Sequence, residues 1–315
     1  MPLKQWFQPA LLVFVASSMF AQGPLLDIRA PRTSVETMRP PDLRVDVNLV
    51  LLPVVVTNRA GAVVNGLKAT SFTVLEDNAP KDIVSFASED VPCSVGVVVD
   101  ISGSMAGKAG ISAGAMRAFF DTANPRDEAF LLTVSTRPDT LSGFTSDFGN
   151  LQSELRNARP GGATALVDTV QLALNRLRGA HNPRRALLII SDGMDNHSRY
   201  SEAELLRIAQ EADVQIYTIG MEPSTANKKA IELTEERNGL AFLSHLADRS
   251  GGLSFTLGGY ENPVPTAAKI STAIRNQYVI GYQPSEGESG KWRAVRVKVD
   301  VPQVHVASRN GYYNP

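Results

Sequence analysis

The sequence has few of the side chains from which soft-metal centres are built. It contains one cysteine, Cys93, among 315 residues, and its four histidines lie far apart, at positions 181, 197, 245 and 305. One cysteine cannot close a disulfide within the chain, and it excludes multi-cysteine zinc sites and iron–sulfur clusters built by a single chain. We therefore expect any metal site of this protein to use oxygen ligands.

The chain also lacks an excess of charge of either sign. Its 31 Lys and Arg residues almost balance its 32 Asp and Glu residues, and the formal net charge is -1. Proteins that bind nucleic acids normally carry a basic excess or a basic patch, so we expect no nucleic-acid partner. Hydrophobic residues make up 43% of the chain, which is enough for a sizeable core and excludes wholesale disorder.

Long hydrophobic runs are scarce, and none approaches the roughly 20 residues that a membrane-spanning helix needs. The apolar run at residues 10–20 follows Lys4 and precedes the small residue Ala21. This pattern is typical of a secretory signal peptide covering residues 1–21, although cleavage after Ser18, retention as an anchor and burial as a strand stay open. We expect an exported protein, secreted or held in the periplasm or cell envelope, with no transmembrane segment after signal removal.

The rest of the chain divides into segments of different periodicity. Residues 22–44 are rich in proline and charge without a period, which predicts a flexible leader. Residues 45–90 and 278–315 carry short alternating runs typical of strands. Residues 91–277 alternate strand and helix patterns, which predicts a mostly parallel, doubly wound sheet covered on both faces. Because neither β segment can bury much alone, we predict an α/β domain inserted into a small all-β sandwich.

Acidic and hydroxyl side chains follow two of the predicted parallel strands. The pattern Asp-x-Ser-x-Ser at residues 100–104 comes directly after the apolar strand 94–99, and Asp192 comes directly after the strand 186–191. Ligands of open parallel sheets bind beyond the carboxyl ends of the strands, near the switch point. We therefore expect both groups of side chains at the same rim of the sheet.

A third loop, residues 161–164, adds a neutral hydroxyl to this set and precedes a predicted helix. Mg²⁺ prefers six oxygen ligands in a near-octahedral arrangement and keeps several of its waters. Hydroxyl ligands leave the charge of such an ion partly unneutralised, so a carboxylate from another molecule is able to complete its shell. The candidate metal-site residues are Asp100, Ser102, Ser104, Thr164 and Asp192.

The pattern Asp-x-Ser-x-Ser, then Thr, then Asp-Gly resembles the metal-ion-dependent adhesion site of von Willebrand factor type A domains, which integrin I domains share. The resemblance covers roughly residues 92–277. The flanking β segments are similar to those of secreted bacterial proteins of the VWFA-related family found in acidobacteria. Further segments that carry the resemblance of the α/β part are residues 162–166, 190–196, 216–220 and 246–252.

This resemblance implies a function as well as a fold. It implies that the five candidate residues hold Mg²⁺ or Mn²⁺, with Ser102 and Ser104 as direct ligands, and that the protein binds an Asp or Glu carboxylate of a protein partner. An envelope structural or assembly factor, in which the ion mainly stabilises the fold, is the alternative. An enzyme that uses the ion as a Lewis acid is not expected, because the sequence shows no evident base beside Asp100.

One other motif and two histidines suggest chemistry and are interpreted more simply. Residues 110–114 match the nucleophile-elbow pattern G-x-S-x-G, but such an elbow needs its serine on a tight turn from strand to helix. The strand ends well before Ser112, so we expect Ser112 to cap or pack a helix. We expect His197 to be a solvated loop residue and His245 to be a partly buried structural residue.

Three further polar residues lie close to the candidate site in sequence or precede its first strand. Asp195 and Asp168 are interpreted either as hydrogen-bond acceptors that support the metal ligands, or as a surface acid and a helix N-terminal charge, respectively. Cys93 precedes the first core strand and is expected to be a buried thiol, with an intermolecular disulfide as the alternative.

Overall fold

A computed structural model provides the structure of the chain, with side chains described except at residues 230–233 and 236. The predicted signal peptide (1–21), the predicted leader (22–44) and the start of the first β segment lie outside the described residues. Within the described part, no helix combines the length and the apolar character needed to cross a membrane. The described residues are 49–88, 90–222, 230–259 and 261–314.

The first part of the chain folds into strands separated by tight turns. The first strand ends in a turn in which the side chain of Asn58 accepts hydrogen bonds from the N–H groups of Ala60 and Ala62. Asp77 and Asn78 have positive φ angles of 49° and 68°, which Asp and Asn tolerate better than most residues. The strands are β1 (Val50–Asn58), β2 (Phe72–Glu76), β3 (Ala79–Lys81) and β4 (Ile83–Ala87).

The middle of the chain alternates strands and helices around a six-stranded sheet. The strands lie in the order β10-β9-β8-β5-β6-β7, and all neighbours are parallel except the pair β6 and β7. The elements are β5 (Cys93–Asp100), α1 (Ala109–Phe120), β6 (Glu128–Val134), β7 (Asp139–Thr145), α2 (Phe148–Asn157), α3 (Leu166–Leu177), β8 (Arg184–Ser191), α4 (Glu202–Glu211), β9 (Gln215–Met221), α5 (Ala230–Ser250), β10 (Ser254–Leu257) and α6 (Val264–Arg275).

The last part of the chain returns to β structure and pairs with the first part. One four-stranded sheet has the order β13-β1-β11-β4 and the other has the order β14-β12-β2-β3, so each contains strands from both sides of the α/β part. Buried side chains of both sheets share one core, which includes Leu52, Phe72, Tyr278 and Val297. The strands of this part are β11 (Tyr278–Tyr282), β12 (Trp292–Val299), β13 (Val304–Ser308) and β14 (Gly311–Tyr313).

Strand β5 shows why this sequence forms a central parallel strand. All eight of its residues are buried, because helices cover both faces of the sheet. Val97 and Val99 pack in the core that contains α1, α2 and α6, whereas Val98 packs in the core that contains α3, α4 and α5. At Gly96 a Cβ atom would lie 2.7 Å from Cζ of Phe130, so the neighbouring ring occupies the space of a side chain.

The prediction of an α/β fold with a mostly parallel sheet is confirmed. Helix α1 begins at Ala109, so Ser112 lies within this helix and does not cap its start. Edge strand β7 was not predicted. Its sequence, DTLSGFT, contains a glycine and no buried residue, so the alternation that marks a half-buried strand is weak.

A buried carboxylate joins the two β segments. Glu76 on β2 is 1% exposed, and it accepts hydrogen bonds from the hydroxyls of Tyr282 and Tyr312 and from the N–H of Ser285. Burial would raise the pKa of this carboxyl, but the hydrogen bonds outweigh burial and lower the pKa to about 2. Glu76 is therefore a charged residue with a complete set of donors inside the sandwich.

Candidate functional site

The candidate site lies at the switch point of the central sheet. Strands β5 and β8 are parallel neighbours, and the chain leaves them in opposite directions. Helix α1 follows β5 and packs on one face, while α4 follows β8 and packs on the other. The carboxyl ends of these two strands therefore border the crevice in which open α/β sheets place their ligands.

Asp100 is the last residue of β5 and is 2% exposed. Its Oδ1 accepts a hydrogen bond of 2.9 Å from the N–H of Ser102, and its Oδ2 accepts one of 2.6 Å from the hydroxyl of Ser191. Burial raises the pKa of the Asp100 carboxyl to about 6, although these hydrogen bonds lower it, and the negative charge of Asp192 raises it further. The carboxylate is thus held in one orientation, and it lacks enough positive charge nearby to offset burial.

Two serine hydroxyls of the loop after β5 converge beside Asp100. Ser102 is 1% exposed, and its Oγ lies 3.1 Å from Oγ of Ser104. A short 3-10 turn at Gly103–Met105 brings the two side chains to the same side of the loop. The Asp-x-Ser-x-Ser pattern therefore forms a group of three oxygen-bearing side chains at the end of β5.

The loop that carries Thr164 is joined to the loop after β5 by backbone hydrogen bonds. The N–H of Gly103 donates to the carbonyl of Gly162 at 3.1 Å, and the N–H of Gly161 donates to the carbonyl of Ile101 at 2.8 Å. Gly162 has a φ of 90°, and a Cβ there would lie 2.5 Å from Oγ1 of Thr136. Glycine is required at this close approach, which holds the loop of the buried Thr164 against the rim.

Asp192 follows β8 and is fully buried. Its Oδ1 accepts a hydrogen bond of 3.2 Å from the N–H of Met194. Its Oδ2 is buried and accepts no hydrogen bond, while Nζ of Lys108 lies 3.9 Å away. A buried carboxylate oxygen without a hydrogen bond is uncommon in folded proteins, and such a group calls for a specific explanation.

The other residues singled out in the sequence have structural roles or face solvent. Asp195 is partly buried and caps α3 by accepting from the N–H of Val167, and Asp168 is buried and accepts from the N–H and Nε of Arg199. His197 is exposed as expected, whereas His245 is exposed rather than partly buried. The expectation for His245 was wrong because its ring lies on the outer face of α5, between the inward-facing Leu243 and Leu246.

Ser112 and Cys93 are also inert in this structure. Ser112 lies within α1, is 2% exposed, and its hydroxyl donates to the carbonyl of Lys108, as expected of a packing residue. Cys93 is buried, and burial raises the pKa of its thiol to about 12. Neither side chain is placed to act as a nucleophile.

The five candidate side chains offer oxygen atoms only, from two carboxylates and three hydroxyls. No group of three or more Cys, His, Asp or Glu side chains that could hold a metal ion occurs within the part of the chain that the structure describes. Any ion at this rim would therefore depend on hydroxyl and water oxygens as well as on Asp100 and Asp192. Such a donor set suits a hard cation such as Mg²⁺ or Mn²⁺.

Three contributors to the rim were not identified from the sequence. Ser191 orients Asp100 through its hydroxyl, and the same hydroxyl accepts from the N–H of Gly193. The side chain of Asn196 accepts from the N–H of Thr164 at 2.8 Å. Lys108 extends towards Asp192. A polar final residue in the otherwise apolar strand ALLIIS was the signal that marks Ser191; the other two residues carry no local signal.

Comparison with protein families gives one match. The family model of the von Willebrand factor type A domain matches residues 95–194, a segment that contains all five candidate residues. No curated protein matches the chain significantly.

Comparison with solved structures finds similar folds at low sequence identity. An aerotolerance-related membrane protein from Bacteroides fragilis is 17% identical with a TM-score of 0.48, over 58% of this chain and 98% of its own. A von Willebrand factor type A protein from Catenulispora acidiphila is 12% identical with a TM-score of 0.49, over 84% of this chain and 74% of its own. The vWF domain of a type V pili tip protein from Porphyromonas gingivalis is 15% identical with a TM-score of 0.44, over 59% and 94% of the two chains.

The family match and the sheet topology agree on the same part of the chain. The matched residues run from β5 to the loop after β8, and they include both strands of the switch point. Residues 95–194, within the α/β part of this chain, therefore match the von Willebrand factor type A domain.

Proposed function

We propose that the protein is an exported, divalent-cation-dependent protein-binding module that recognises an acidic residue of its partner through a metal-ion-dependent adhesion site. The observation that carries this proposal is the buried Oδ2 of Asp192, which accepts no hydrogen bond. A buried charged oxygen is costly unless a cation or a donor satisfies it. The residues that would hold Mg²⁺ or Mn²⁺ are Asp100, Ser102, Ser104, Thr164 and Asp192.

The chain's own residues prepare the rim for such an ion. The hydroxyl of Ser191 and the N–H of Ser102 fix the carboxylate of Asp100, and the side chain of Asn196 fixes the backbone of Thr164. When bound, Mg²⁺ or Mn²⁺ supplies a positive centre with a coordination position that an external carboxylate can take. Because the ligands are fixed before binding, little ordering cost accompanies it.

The proposal of export rests on the sequence. The signal-like residues 1–21 support export to the periplasm, the cell envelope or the exterior. Asp100 and Asp192 contact hydroxyls, backbone amides and one ammonium group. None of these partner groups is a general base, so we do not propose hydrolysis.

Calorimetric titration with Mn²⁺ and Mg²⁺ tests the metal site directly. We expect the wild-type protein to bind weakly without a partner and the variant Asp100→Ala to show no binding. Asp195→Asn is the matched control, because Asp195 lies in the loop of Asp192 but its oxygens are taken up by Ser198 and the N-terminus of α3. Equal binding by wild type and Asp100→Ala would overturn the site assignment.

A pair of peptides tests the acidic partner. Peptides that differ only by Glu or Gln at one position are titrated against the Mn²⁺-loaded protein and against the same protein in EDTA. We expect only the Glu peptide to bind, and only with the ion present. If Mn²⁺ raises the unfolding temperature while neither peptide binds, the alternative of an envelope structural or assembly factor is favoured instead.

A further inference from the structure

Lys108 places an ammonium group inside the candidate site. The residue lies immediately before α1, and its carbonyl accepts hydrogen bonds from the N–H groups of Ile111 and Ser112. These bonds fix the backbone from which the side chain extends. The side chain is 10% exposed, and Nζ lies 3.9 Å from Oδ2 of Asp192. The ammonium thus points into the rim and not into solvent.

The contact between Lys108 and Asp192 differs from an ordinary buried ion pair. Nζ faces the one oxygen of Asp192 that accepts no hydrogen bond, at a distance too long for a hydrogen bond. In the sandwich, Nζ of Lys81 lies 3.6 Å from Oε1 of Glu76, but Ser285 and two tyrosines already satisfy that carboxylate. Lys108 therefore supplies positive charge near an oxygen that accepts no hydrogen bond.

A charge count at the rim shows what this ammonium does. The two carboxylates and the ammonium together carry one net negative charge, so a divalent ion would bring the site to one net positive charge. Without Lys108 the loaded site would be neutral. At distances of a few ångströms the ammonium repels a cation and attracts an anion, and both Coulomb interactions are strong where water is excluded.

We infer that Lys108 is a specificity-determining residue of this site, which weakens binding of the divalent ion and strengthens binding of an external carboxylate to the loaded site. The inference rests on the proposed function, since it assumes that the rim accepts a cation. It goes further by assigning selectivity to one residue of this chain. A site of this kind binds the ion and the acidic ligand cooperatively, because the ion makes the net charge of the site positive and the carboxylate then neutralises it.

Titration of Mn²⁺ alone against charge variants tests the first half of the inference. We expect Lys108→Met and Lys108→Gln, which remove the charge, to bind Mn²⁺ on the order of ten- to a hundredfold more tightly than wild type. Lys108→Arg keeps the charge and is expected to bind like wild type. Lys81→Met is the matched control, because it removes a lysine paired with a buried carboxylate in the sandwich. Circular dichroism establishes which variants are folded.

Titration of acetate against the Mn²⁺-saturated proteins tests the second half. We expect acetate to bind Lys108→Met more weakly than wild type by about tenfold. An uncharged variant that is folded and binds Mn²⁺ no more tightly than wild type would overturn the inference while leaving the proposed function intact. If acetate bound all loaded variants equally, the assigned role in carboxylate selection would be wrong.

The two proposals fail in different ways. If wild type binds no Mn²⁺ but Lys108→Met does, the ammonium is an internal substitute for the ion, and the proposed function is wrong for the natural chain. If neither the wild type nor any variant binds Mn²⁺, both proposals are overturned.

Discussion

The sandwich and the rim of the α/β domain both bury carboxylates, and they treat them in opposite ways. In the sandwich, Glu76 accepts hydrogen bonds from three residues, and its pKa falls to about 2. At the rim, burial raises the pKa of Asp100 to about 6, and one oxygen of Asp192 accepts no hydrogen bond. Carboxylates with similarly little exposed surface therefore differ in pKa and in how completely hydrogen-bond donors satisfy their oxygens.

This difference is the one expected between a structural carboxylate and a carboxylate that binds a ligand. Glu76 joins β2 to the two tyrosines and the serine of the last part of the chain, so its hydrogen bonds stabilise the fold. The rim carboxylates cost stability in the absence of a cation, because their charge is buried without full compensation. Folded proteins keep such groups mainly where function requires them.

Replacing Glu76 is expected to give the largest loss of stability. Glu76→Gln removes the charge that the two tyrosine hydroxyls and the N–H of Ser285 solvate, and the loss is expected to be about 3 kcal/mol. Urea denaturation of wild type and variant measures it. Asp192→Asn serves as the rim counterpart and is expected to change the stability of the ion-free protein by less than about 1 kcal/mol. A larger loss for Asp192→Asn than for Glu76→Gln would reverse the comparison.

Acid should remove the contribution of the Glu76 charge to the stability of the folded protein. The pKa of Glu76 is about 2 in the folded protein, below its ordinary value of 4.5, so the unfolded chain binds the extra proton first. The stabilisation is therefore complete above about pH 5 and is lost as the pH falls towards 2. Between about pH 6 and pH 3 we expect wild type to lose about 2 kcal/mol more than Glu76→Gln. Equal losses in the two proteins would show that Glu76 does not carry this dependence.

A divalent ion bound at the rim should stabilise the folded protein and should not change the contribution of Glu76 to its stability. At an ion concentration of about 100 times Kd, binding to the folded state adds about 2.7 kcal/mol. For a domain of this size that corresponds to a rise of about 5 °C or more in Tm. Differential scanning calorimetry with Mg²⁺ is expected to show this rise in wild type and in Glu76→Gln, but not in Asp192→Asn. A rise of equal size in Asp192→Asn would place the stabilising ion elsewhere.

The sequence allowed most of the fold to be predicted, because its periodic patterns are strong in buried elements. Strands β5 and β8 contain the apolar runs VGVVV and ALLII, and both strands were located closely. Ser201 and Glu204 form the capping box that marks the start of α4. Edge strand β7 escaped prediction because its exposed residues carry no alternation.

The candidate site was predictable only in part, because some of its residues share a local motif and others meet only through tertiary contacts. Asp100, Ser102 and Ser104 share one short motif at the end of a strand, so the sequence alone places them together. The contacts of Lys108 with Asp192 and of Asn196 with Thr164 join loops that are far apart in the chain. Such contacts depend on the folded arrangement of three loops, and no local spacing records them.

Ser191 gives the smallest effect and the finest test of the comparison. Its hydroxyl donates to Oδ2 of Asp100 and accepts from the N–H of Gly193, so Ser191→Ala releases the carboxylate without removing it. We expect Mn²⁺ affinity to fall about tenfold, which is about 1.4 kcal/mol and typical of lost support for a metal ligand. The ion-free stability should fall by about 1 kcal/mol. Calorimetric titration together with urea denaturation measures both values, and Ser191→Thr, which keeps a hydroxyl, is the control. If Ser191→Ala lowered stability as expected but left Mn²⁺ affinity unchanged, Ser191 would be structural like the donors around Glu76, and the contrast between rim and sandwich would not extend beyond the proposed ligands.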